Sequence, residues 1–200
     1  LPSDIIIFAS GMDGFTDCLT CPEKIKEVNE VMTPGFIAWS ELLAEQSGIK
    51  IQRIAPQNFS ADFISPKMFE ELCWPWLKEM VLTFIEDGYY VLLHLDGKWE
   101  PMFDYFQDFP PKKILLELEN SDIEVAKKKL GHILCIKGNV SSTMLAFGSP
   151  KEVEDYCRRL IDICAPGGGF ILSSGCEVPI NARPENVWAM IRAAKEYGTY

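Results

Sequence analysis

The chain has 200 residues, 48% of them hydrophobic, and its 19 Lys and Arg against 29 Asp and Glu leave a formal net charge of −10. That is enough apolar content for one globular core, while the acidic balance argues against a nucleic-acid partner, because phosphate binding calls for clustered Lys and Arg. No apolar run approaches the roughly 20 residues that span a bilayer, so no membrane association is expected.

The chain begins with Leu rather than Met, as a processed chain or one cut from a longer protein would, and nothing at the start reads as a signal peptide. Residues 1–47 read as a helical lead-in, with "PEKIKEVNEV" (22–31) and "PGFIAWSELLAEQSG" (34–48) forming a long helical pattern broken near Pro34. Cys18-x-x-Cys21 lacks a second pair, and Cys21-Pro22 reads as a helix start. The seven cysteines are odd in number and irregularly spaced, which fits a reducing cytoplasm better than a disulfide framework.

From residue 48 onward, β-rich runs alternate with helical segments, the pattern of βα units on a parallel sheet. The expected strands are "IKIQRIA" (49–55), "YYVLLHL" (89–95), "KILLELE" (113–119), "HILCIKG" (132–138) and "GFILSSG" (169–175), all apolar through the middle as strands covered on both faces should be. Ser65-Pro66 opens a helix that Pro75 should kink and Gly88 should stop. Ser121 with Glu124 and Ser149 with Glu152 read as capping boxes, Gly131 and Gly167 as stops, and Pro184 opens the last helix.

Such units suit a doubly wound sheet or part of a (β/α)8 barrel. No Gly-x-Gly-x-x-Gly follows a strand, which removes the dinucleotide-binding version. Polar residues instead gather at the carboxyl ends of the strands, where a barrel forms its active site: His94 and Asp96, Glu117 and Glu119, Asn139, then Ser173, Ser174 and Cys176. Residues two apart share a strand face, so His94 with Asp96 and Glu117 with Glu119 can face one interior. Imidazole, carboxylate and thiolate together form a plausible zinc shell. The plainer alternative is a hydrogen-bonded His94 and a small buried Cys176. Lys127-Lys-Lys129 reads as a solvated helix face, and Trp74 and Trp76 read as helix packing.

Four segments, "GN" (138–139), "GSPKEVEDYCRRLI" (148–161), "GGGFILSSGCEVP" (167–179) and "PENVWAMI" (184–191), preceded by "HLDG" (94–97), resemble in order and spacing the C-terminal region of the uroporphyrinogen decarboxylase superfamily. The resemblance implies an α/β fold, a (β/α)8 TIM barrel present as its C-terminal portion of about five βα units, with the first three strands lacking and residues 1–200 forming one domain. True decarboxylases usually carry histidine at the place of Cys176 and an arginine-rich N-terminal motif, absent here. The corrinoid-linked methyltransferase branch is more similar, having a histidine and two cysteines on zinc. His94 matches the first ligand and Cys176 the last, while Asp96 stands where that branch has its middle cysteine.

The resemblance therefore implies a zinc-dependent methyltransferase that moves a methyl group between a corrinoid (methylcobalamin-carrying) protein and a small substrate: a thiol, tetrahydrofolate or a methoxylated compound. His94, Asp96, Glu117 and Cys176 are the expected metal ligands, with Glu119 the fallback for Glu117; His94, Glu117 and Cys176 carry the chemistry, and Asn139, Asp96 and Ser174 contact substrate. Tetrapyrrole decarboxylation and a noncatalytic partial barrel are the alternatives.

Overall fold

Five short aliphatic runs form one parallel sheet in the computed structural model, which describes residues 1–198. The strands are β1 Ile51–Ile54, β2 Tyr90–Leu95, β3 Ile114–Leu118, β4 Cys135–Val140 and β5 Phe170–Ser174, side by side in chain order. A doubly wound sheet reverses its order at a switch point. Here no reversal occurs, so every crossover steps the same way, as around the wall of a barrel.

Three helices precede β1: α1 Pro2–Ser10, α2 Met12–Thr20 and α3 Pro22–Ser47. Helices α4 Pro66–Leu72 and α5 Trp74–Glu86 join β1 to β2, and α6 Ile123–Leu130 joins β3 to β4. Helices α7 Ser142–Phe147 and α8 Pro150–Cys164 join β4 to β5, and α9 Pro184–Tyr197 follows. None among the described residues is long and apolar enough to cross a membrane.

The helices cover one face of the sheet, burying Val91, Leu93 and Leu95 of β2 with Ile114, Leu116 and Leu118 of β3. The other face was expected to be covered as well, yet Ile51 and Tyr90 are each 46% exposed and Ile171 is 40% exposed. Five strands make an open arc, so this inner face has no opposite wall among the described residues.

Four local expectations need correction. Helix α3 runs unbroken through Pro34, because the Glu30 carbonyl that loses its N–H partner lies on the exposed side, where water can replace it. Pro75 goes with a break and not a kink: the helical segment divides at Cys73, and Pro75 sits in the first turn of α5, where a missing N–H costs nothing. Asp122, not Ser121, caps α6 by accepting from the Glu124 and Val125 N–H groups. The fourth strand begins at Cys135, so His132 lies in the preceding turn and Asn139 within the strand. The capping box at Ser149 and Glu152 forms as read.

The long β2–β3 crossover is held by aromatic packing. Phe106 lies against Phe69, Trp74, Trp99, Phe103 and Phe109, with ring centroids 6.0–6.5 Å apart. Fully buried Trp99 donates its N–H to Ser121 Oγ (2.9 Å) and its Nε1–H to the Asp96 carbonyl (2.7 Å), tying the turn after β2 to the turn after β3. Phe106→Ala should therefore destabilise the protein by about 3–5 kcal/mol. Denaturant unfolding measures this, and a loss below about 1 kcal/mol would mean the cluster does not organise the crossover.

Candidate metal centre

The parallel register sets His94 opposite Glu117 and Glu117 opposite Lys137. Residues in register share a sheet face, so the three form a transverse row on the open side of β2, β3 and β4, near the strands' carboxyl ends. His94 and Glu117 are nonetheless buried, because the polar groups cover one another. His94 Nδ1 lies 2.7 Å from Glu117 Oε2, and the Lys137 ammonium closes on Glu117 Oε1.

Two further residues arrive from loops. Past the end of β2, Gly97 turns the chain at φ 79°, and a Cβ there would strike Ser60 and Asp62 side chains, so Asp96 folds back beside His94. Gln57, in the 3-10 turn after β1, donates Nε2–H to Asp96 Oδ2 at 2.5 Å. Asp96 Oδ1 is buried and ion-paired to His94 Nε2 at 3.1 Å. Cys176 enters through Gly175, where a Cβ would lie 2.8 Å from Glu119 Cα, and its Sγ comes within 3.8 Å of His94 Nε2.

The ligand atoms of His94, Asp96 and Cys176 all lie within 4.8 Å of one another. Zinc–ligand bonds of about 2.0–2.3 Å in a tetrahedron put donor atoms about 3.3–3.8 Å apart, close to the separations found here. An imidazole nitrogen, a carboxylate oxygen and a thiol gathered in one place are the donor set that borderline-soft Zn2+ accepts. The residues fit the metal.

Charge couples these groups. The Asp96 carboxylate raises the pKa of His94, against burial and with help from Glu117. The reciprocal effect of His94 lowers Asp96. Burial pushes the Glu117 carboxyl up, but Lys137 and His94 outweigh it and hold the group below its ordinary value. Burial also raises the Cys176 thiol, and the negative charges of Asp96 and Glu119 raise it further.

The remaining expected residues sit apart from this trio. Glu117 faces Nδ1, the opposite side of the imidazole ring, with each oxygen engaged. Glu119 accepts from Asn120 Nδ2. Asn139 donates to the Ser121 and Glu119 carbonyls and accepts from the Tyr156 hydroxyl (2.9 Å), bracing the β3 turn against α8. Ser174 shares the parity of buried Phe170, on the helix-covered side. Gln57, Lys137 and Tyr156 join the site's network without belonging to the sequence-derived set. Lys137 had a signal, a charge inside an apolar strand, whereas Gln57 and Tyr156 had none.

The uroporphyrinogen decarboxylase (URO-D) family profile matches residues 10–197, and the chain belongs to that family. Among its relatives, the methylcobamide:CoM methyltransferase MtaA of Methanosarcina barkeri is 24% identical over 175 residues, 88% of this chain and 50% of the relative. The uroporphyrinogen decarboxylase of Magnetococcus marinus is 28% identical over 78 residues, 39% of this chain and 22% of that protein. A solved methyltransferase from Methanosarcina mazei superposes with a TM-score of 0.78 at 20% identity, covering 94% of this chain and 54% of that one. The five-stranded arc is thus part of a URO-D-type barrel. The chain spans about half the length of the methyltransferases it matches.

His94 and Cys176 both hold protons more tightly than usual, so any zinc bound there would have to displace them. Apparent zinc affinity should therefore rise with pH, by about tenfold per pH unit for each displaced proton, and the slope should shrink in Cys176→Ser. Chelator competition at several pH values reads this directly; a flat profile would remove His94 and Cys176 from the binding step.

Proposed function

We propose that this chain carries the metal centre of a zinc-dependent methyltransferase that moves a methyl group between a corrinoid protein and a small substrate: a thiol, tetrahydrofolate or a methoxylated compound. The observation that carries the reading is the convergence of one ligand atom each from His94, Asp96 and Cys176 within 4.8 Å of one another. The relatives matched over most of the chain, both methyltransferases, support it.

In this reading His94, Asp96 and Cys176 hold the metal, and residues 1–200 work as one cytoplasmic domain in which the helices before β1 lead into the βα units. Bound zinc supplies Lewis acidity toward the substrate heteroatom. Glu117 holds the His94 ring by its Nδ1–H, and Gln57 fixes the rotamer of Asp96 through Oδ2, leaving Oδ1 directed at the site. Asp96, a harder donor than thiolate, leaves more positive charge on the metal than a second cysteine would. The acceptor is then activated mainly by polarisation. Asn139 braces the neighbouring turn, on which substrate would lie.

Full-length protein purified without chelator should contain about one zinc per chain, and His94→Ala and Cys176→Ala should each lose the metal along with at least about a hundredfold in methyl transfer from methylcobalamin. Elemental analysis and a methylcobalamin demethylation assay provide the two readouts. A folded wild type without zinc that releases CO2 from uroporphyrinogen would overturn the proposal in favour of tetrapyrrole decarboxylation; neither activity would leave an accessory role.

A further inference from the structure

Lys137 stands in the middle of β4 on the open face of the sheet, one strand over from Glu117 and two from His94. Its neighbour across β5 in the same row is the apolar Ile171. The ammonium reaches back to Glu117 Oε1, while Oε2 takes Nδ1 of His94. The Glu117 side chain is only 9% exposed. A carboxylate so shielded needs both oxygens satisfied, or it takes up a proton or turns toward another cation.

We propose, resting on the metal-site reading above, that Lys137 is a positioning residue: it pins Glu117 as the acceptor of the His94 Nδ1–H, so that Glu117 supports the metal from outside its shell and Nε2 alone faces the ion. A ligating histidine needs its second ring nitrogen held, since that bond selects the tautomer and the ring orientation. Here the holding group is itself held. With Oε1 closed by Lys137, Glu117 has no idle oxygen to swing round the ring toward the cluster of Nε2, Oδ1 and Sγ. A plain stabilising ion pair accounts less well for the arrangement, because a buried pair contributes little net stability, whereas a row of three residues across adjacent strands fixes the ring's angle.

Zinc affinity by chelator competition and the visible spectrum of the Co2+-loaded protein distinguish the two roles in full-length wild type, Lys137→Met, Lys137→Arg and Glu117→Gln. Lys137→Met and Glu117→Gln should each bind zinc about 10–100-fold more weakly, and Lys137→Arg should recover most of the loss. At saturating Co2+ both weakened variants should keep the wild-type d–d envelope and the thiolate charge-transfer band, since no ligand is removed. The double variant Lys137→Met/Glu117→Gln should bind about as well as Glu117→Gln alone, because one residue acts through the other.

Wild-type affinity in Lys137→Met, additive losses in the double variant, or a changed d–d envelope in Glu117→Gln would each overturn the assignment, the last by making Glu117 a ligand. Thermal melts of the metal-free variants identify any that fail to fold, and Glu117→Gln and Lys137→Arg then carry the comparison. A wild type that takes up neither metal defeats the metal-site reading together with this one; metal uptake by the wild type with unchanged Lys137→Met defeats this one alone.

Discussion

The pairing of β2, β3 and β4 in one parallel register is the constraint on which the site depends. It places a histidine, a carboxylate and an ammonium in a line across the sheet, and each group compensates its neighbour. None of the three would be stable in this half-buried position alone: Glu117 would be a shielded charge, and His94 would have no fixed tautomer. A slip of one residue in any of these strands would send its member of the row to the helix-covered face, where Leu93, Leu95, Leu116 and Leu118 fill the space.

What the sheet aligns, the turns complete. Asp96 and Cys176 lie beyond the last residues of their strands, so no register fixes them. Gly97 and Gly175 do so sterically, since each allows a backbone path that a Cβ would block. Trp99 then locks the first of these turns by binding the Asp96 carbonyl from within the aromatic cluster, and it ties the same turn to Ser121 at the head of the next unit. The packing of the β2–β3 crossover thus reaches the candidate metal centre through a single indole.

The open face has its own consequence. A barrel interior is normally filled by layers of side chains from alternate strands, and the arc described here presents Ile51, Tyr90 and Ile171 on that side with substantial exposure. Near the carboxyl ends the same face is closed by its own polar network. The apolar part of the inner face is therefore its exposed part, whereas the polar part is covered by the residues of this chain.

From the sequence alone came the element types, their order and the residue chemistry of the site, because these rest on local causes: period-two parity along strands, proline and serine at helix starts, and carboxylate, imidazole and thiol side chains at strand ends. The errors were local as well. Pro34 leaves its helix intact because the Glu30 carbonyl faces solvent, and Ser121 is not the cap because a backbone N–H from Trp99, 22 residues away, takes its hydroxyl. Only the tertiary structure decided which side of the His94 ring each acid occupies, that Gln57 and Lys137 hold those acids, and that Asn139 braces a turn. Those outcomes depend on which strands lie adjacent and on where turns return the chain, and such distances between residues far apart in sequence are set by packing rather than by any local pattern.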